Sequence, residues 1–115
     1  MNIFDKIKDA FSAEDFDVKG QTRVKTVKKM FFTNFGCQLR IYHGKKFADD
    51  NDTLASIRPE DHSAKVDELT IRANWKVSEV ESKFMENFGI KVQVANTGDT
   101  ELADNDLTLG EVSRL

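Results

Sequence analysis

The side chains best suited to nucleophilic or metal chemistry in this sequence are one thiol, Cys37, and two imidazoles, His43 and His62. A cysteine nucleophile needs a base within hydrogen-bond reach and usually a third group to orient that base. Cys37 has neither signature, and the two histidines form no His-x3-His or cysteine-paired spacing for zinc. Two acidic clusters, Asp49-Asp50-Asn51-Asp52 and Asp104-Asn105-Asp106, offer oxygen ligands for a hard cation. Neither continues into a loop with the central glycine and terminal glutamate that calcium loops use. The sequence also lacks a glycine-rich phosphate loop, a GxSxG elbow and an HExxH pair. The expectation is a non-enzymatic chain with no catalytic residue, no metal site and no cofactor.

Charge is the remaining source of chemistry, and it is unevenly spread. Between Lys19 and Lys46 stand eight basic residues and no acid, in a chain whose net charge is -3. On a helical wheel at about 100° per residue, Lys25, Lys28, Lys29 and Phe32 gather on one flank. Arg40 projects from the following strand on the face opposite Leu39 and Ile41, and Lys45 and Lys46 follow the next turn. These seven residues form a candidate binding face for an acidic protein surface or for nucleic acid, with Phe32 as an anchoring or stacking group. The alternative is a solvated face whose cations are balanced by acids brought close in the fold.

The elements that must position this face come in two copies. Residues Asp17–His43 align without a gap onto Thr70–Asn96, at an offset of 53. Six of these 27 positions are identical: Val24/Val77, Val27/Val80, Phe31/Phe84, Asn34/Asn87, Phe35/Phe88 and Gly36/Gly89. In each copy a short extended piece (FDVKG or ELTIRA) precedes a helical stripe, Val24-Val27-Phe31-Phe35 or Val77-Val80-Phe84-Phe88. Both helices are predicted to stop at Asn-Phe-Gly, since glycine accepts the left-handed conformation that closes a helix. CQLRIY and IKVQVA then alternate with period two, as a strand with one buried face does. Turns at His43-Gly44 and Asn96–Asp99 lead to KKFA and TELA, and each acidic cluster reads as the N-cap of a short closing helix. Cys37 matches Ile90 of the second copy, which makes it a small core residue. Trp75, in the place of Thr22, reads as a staple at the start of the second helix.

The expected fold is therefore α+β: duplicated βαβ units forming one mixed or antiparallel sheet with helices packed on one face. In element order, and in that only, it resembles the ferredoxin-like split-βαβ arrangement, with extra hairpin strands and short helices. At 115 residues the chain is one domain. Its expected parts are an N-terminal amphipathic helix (1–16), repeat one (17–57), a linker with the only proline (58–66) and repeat two (67–115).

The N-terminal segment lies outside the repeat. Ile3, Phe4, Ile7 and Phe11 share one stripe with Ala10, which either covers the chain's own sheet or docks on a partner or a second copy. Its polar face, with two acids against two bases, lacks the basic excess of a membrane-surface helix. No apolar run approaches the roughly 18 residues of a membrane helix, and no signal-peptide pattern is present. One cysteine excludes an intrachain disulfide and fits a reducing compartment. The sequence thus points to a cytoplasmic interaction module contacting an unknown acidic protein or nucleic acid, without membrane contact. The alternative is a structural accessory subunit or homo-oligomer assembled through the N-terminal helix.

Overall fold

A computed structural model describes residues 15–59 and 68–114. The first half runs β1 (Phe16–Lys19), α1 (Val24–Phe35), β2 (Gln38–His43), β3 (Lys46–Phe47) and α2 (Leu54–Ile57). The second runs β4 (Glu68–Ile71), α3 (Val77–Phe88), β5 (Val92–Ala95) and α4 (Leu109–Val112). The fold is α+β, with β1 starting inside the segment assigned from sequence to the N-terminal helix. The apolar stripe Ile3, Phe4, Ile7 and Phe11 lies outside the described residues, as does most of the linker. Among the described residues no helix is long and apolar enough to cross a membrane.

The strands form two antiparallel sheets, β1-β4 and β3-β2-β5, in place of the single ferredoxin-like sheet expected. Period-two burial specifies which face of a strand is inside, and each of these strands does bury one face. It does not specify which strand lies alongside. Here each main strand pairs with its counterpart from the other half, so no strand pairs within its own βαβ unit.

Register gives this arrangement its centre. Val18 faces Leu69 and Phe16 faces Ile71, while Leu39 faces Val94 and Ile41 faces Val92. These pairs interchange under the offset of 53, which describes a pseudo-twofold relation between the halves. Two pairs map onto themselves, Asp17 with Thr70 and Arg40 with Gln93, and so lie on the axis. Thr70 Oγ1 donates to Asp17 Oδ1 at 2.6 Å.

Local contacts follow the same relation. The burial patterns of α1 and α3 differ at one of 12 positions, Lys25 against Ser78. Both helices end at glycines with positive φ, Gly36 at 71° and Gly89 at 68°, whose N–H groups return to the carbonyls of Phe32 and Met85. Phe31, Phe84 and Phe88 are fully buried and Phe35 nearly so, within one core shared by both halves. Tilted and edge-on ring pairs, Phe16–Phe35, Phe31–Phe35 and Phe84–Phe88, fill it. Trp75 packs half-buried against this core.

The acidic clusters cap, but differently from the sequence expectation. The short helices α2 and α4 are capped by the residues that follow the clusters: Thr53 Oγ1 accepts from Ser56 N–H, and Thr108 Oγ1 from Glu111 N–H, each at 3.2 Å. The loops that hold the clusters instead present main-chain carbonyls to the long helices. Val24 and Lys25 N–H donate to Asp52 and Asp50, and Val77 and Ser78 N–H donate to Leu107 and Asn105. Asp49 and Asp104 fold each cluster by accepting from the N–H two residues on. Side-chain capping is the commoner solution for a helix start; here Arg23 and Lys76 occupy the N-cap positions, and the loop supplies the acceptors.

Candidate interaction surface

Two grooves flank the β2–β5 pair, and the pseudo-twofold relates them. The first, about 520 Å³, is lined by Lys28 of α1, by Gln38, Leu39 and Arg40 of β2, and by Phe47 and Asp50. The second, also about 520 Å³, is lined by Glu81 and Met85 of α3 and by Lys91, Val92 and Gln93 around β5. Lys28, Gln38, Leu39 and Arg40 correspond at the offset of 53 to Glu81, Lys91, Val92 and Gln93. The same fold thus builds the same concavity twice with different charges on its helix wall.

The sequence-derived basic residues divide into two sets. Lys28 Nζ lies 3.1 Å from Asp50 Oδ1. Arg40 Nε lies 2.8 Å from Asp99 Oδ1, and its Nη2 also donates to the Asp99 carbonyl at 3.2 Å. The hydrogen bond to Asp99, with its negative charge, holds the Arg40 guanidinium above its ordinary basicity despite some desolvation. These two cations are therefore balanced within the fold. Lys25, Lys29, Lys45 and Lys46 are exposed, and none takes part in an ion pair among the described residues. Phe32 is exposed one turn beyond Lys28. Lys45 and Lys46 belong to the β2–β3 hairpin, whose left-handed Gly44 opens a two-residue turn. They stand apart from the α1 cations in the chain's layout, and Lys28 alone of the helix lysines lines the groove.

The four exposed large apolar side chains among the described residues are Phe32, Phe47, Met85 and Leu102. Phe32 belongs to the candidate face read from the sequence; the other three carry no charge signature and were not singled out there. Phe32 and Met85 are equivalents at the offset of 53. Phe47 and Leu102 are equivalents once the longer turn of the second half is allowed for: Phe47 pairs with Tyr42 and Leu102 with Ala95. The match of KKFA with TELA sets Phe47 against Leu102 in the sequence, but it does not say that both side chains stay exposed. The hairpin also places the Tyr42 ring 5.0 Å from that of Phe47, stacked at 25°, with Lys91 Nζ 5.1 Å from the Tyr42 centroid. Tyr42 Oη donates to Gln93 Oε1 at 2.7 Å. Asp99 is held in reach of Arg40 by a loop in which Thr97 Oγ1 donates to the Gly36 carbonyl at 2.6 Å.

The residues with chemical potential elsewhere are differently placed. Cys37 is fully buried, and desolvation pushes its thiol up to about 12, so at neutral pH it is a protonated thiol. His43 is exposed at the end of β2, paired with Lys46, and His62 lies outside the described residues. Among the described residues no three His, Cys, Asp or Glu side chains come together to hold a metal ion. Glu81, half-buried on the wall of the second groove, has its carboxyl held above the usual range, chiefly by burial. Compared with known proteins, the chain matches no family model, no curated protein and no solved structure.

Proposed function

We propose that this chain is a small, internally duplicated, non-enzymatic interaction module that docks an acidic protein surface on the α1 flank of its first half. The observation that carries this reading is the contrast between equivalent helices. Lys25, Lys28, Lys29 and Phe32 occupy the positions of Ser78, Glu81, Ser82 and Met85, while the buried stripes stay matched. Folding therefore leaves the sign of this flank free, and Lys25 and Lys29, exposed and in no ion pair among the described residues, keep their charge for a partner. Asp50 and Asp99 already offset Lys28 and Arg40, which leaves Lys25 and Lys29 as a short cationic patch, the size of a local acidic protein contact rather than of a continuous phosphodiester track. The protonated, buried Cys37 gives no support to thiol catalysis, and a single reduced thiol suits a cytoplasmic setting.

The test is a titration of 15N-labelled protein, followed by NMR, with a glutamate-rich peptide and separately with a single-stranded oligonucleotide. Peptide-induced shifts at Lys25, Lys29 and Phe32, weakened about tenfold in affinity by K25E/K29E, support the reading. Shifts at these residues with the oligonucleotide alone would transfer the face to nucleic acid. No shifts with either ligand at low salt would remove it as a binding surface.

A further inference from the structure

The partner for the basic flank is present on the molecule itself. We infer that the α1 flank of one copy docks the α3 flank of another, giving head-to-tail self-association. This rests on the reading of the α1 flank as a docking surface and names its occupant, a second copy of this chain.

Charge complementarity is the first argument. Helix α1 carries Lys25, Lys28 and Lys29 and no acid, whereas α3 carries Glu79, Glu81 and Glu86 against Lys83. Lys83 is itself 3.5 Å from Glu86 at i,i+3, and Glu79 accepts from the Lys76 N–H at the helix start. Lys28 is likewise paired, with Asp50, so the complementarity is one of net sign: two helices of the same length, in opposite halves of one molecule, carry opposite net charge.

Equivalent placement is the second. The pseudo-twofold sets each flank beside a groove of about 520 Å³, and the two grooves share four equivalent lining positions. Each flank also carries a large apolar side chain at the same helix position, Phe32 at 36% exposure and Met85 at 49%. Six identities in 27 aligned positions leave ample room for a polar residue there, yet both halves expose an apolar one. A ring and a thioether between rows of lysines and glutamates form an apolar centre with a charged rim, the usual anatomy of a specific contact. Glu81, already partly desolvated on its groove wall, gains most from a lysine brought in by the second copy.

The contact is heterologous: a patch on the first half meets a different patch on the second half of the next copy. It therefore leaves one flank open at each end and extends into chains or closes into rings, rather than stopping at a symmetric dimer.

Sedimentation equilibrium of the full chain tests this, over a concentration series at low salt and again at about 0.5 M NaCl, where charges are screened beyond a few ångströms. The weight-average mass is expected to climb above the 13.1 kDa monomer with concentration at low salt and to fall back at high salt. K25E/K29E and E81K/E86K, each checked for native circular dichroism, should both remain monomeric when alone. Mixed in equal amounts, one variant offers two acidic flanks and the other two basic flanks, so association should return. A parent chain that stays monomeric, variants that associate like the parent, or a mixture that fails to associate would each overturn the inference. If the parent is monomeric while the glutamate-rich peptide still shifts Lys25 and Lys29, the binding face stands and only its occupant is wrong.

Discussion

Two glutamates illustrate how one fold gives the same residue type opposite effects. Glu81 lies half-buried beside β5, and burial raises its carboxyl above 4.5. Glu111 caps α4: hydrogen bonds from the Thr108 backbone and hydroxyl lower its carboxyl below the same value. A carboxyl raised by folding favours the folded state in its protonated form, so the contribution of Glu81 is present below pH 4.5 and is lost as pH rises through its folded value. A carboxyl lowered by folding behaves in reverse, so the contribution of Glu111 is present above pH 4.5 and is lost as pH falls through its folded value. Glutamine resembles the protonated side chain. E81Q is therefore expected to be more stable than the parent near pH 7, and E111Q less stable. Both should approach the parent near pH 3. Urea unfolding at the two pH values checks this, and equal shifts at both would show that packing rather than charge governs the two sites.

At the level of elements, the sequence carried the two long described helices almost completely and the sheets only halfway. The stripes Val24-Val27-Phe31-Phe35 and Val77-Val80-Phe84-Phe88 read directly as buried faces because a helix satisfies its own main-chain hydrogen bonds, leaving side-chain spacing to specify what faces inward. Truncation within them should be costly. F31A and F84A are each expected to lose about 3–5 kcal/mol in denaturant unfolding, whereas M85A, one residue beyond Phe84 and exposed, should stay within about 0.5 kcal/mol. A loss for M85A equal to that for F84A would contradict the assigned helix face. The strands were legible in position and inward face, but β1 and β2 bond to strands about fifty residues away. Nothing in a period-two pattern names that partner. The same gap hid part of the surface. Lys25 and Lys29 were readable from the helical wheel, but the pairing of Arg40 with Asp99 depends on a loop brought to β2 by the cross-axis register. The capping role of the clusters was half legible, since Asp and Asn signal a cap without saying whether the side chain or the carbonyl provides it.

The whole molecule is organised around its axis, and the axis constrains what a duplicated chain can place there. A residue on a true twofold would face its own copy, so a symmetric assembly of the first half would set Asp17 against Asp17 and Arg40 against Arg40. In the fused chain these positions are free to differ, and the partners present are neutral: Thr70, which donates to Asp17, and Gln93, opposite Arg40. Like charges directly opposite on adjacent strands are destabilising, typically by a few tenths to about 1 kcal/mol. T70D restores a symmetric pair in the β1-β4 sheet and also removes the 2.6 Å hydrogen bond, so it should cost about 1 kcal/mol near pH 7 and less near pH 3, where carboxylates protonate. Q93R does the same in the other sheet, removing the acceptor of Tyr42 as well, and its penalty should persist at pH 3 because arginine stays charged. The two sites lie in separate sheets and share no hydrogen-bond partner, so in T70D/Q93R the two losses should add within about 0.5 kcal/mol. Urea unfolding of the four proteins measures this. Additive losses, one pH-sensitive and one not, are what an axis through both pairs requires, and stability unchanged in both single variants would place the pairs elsewhere.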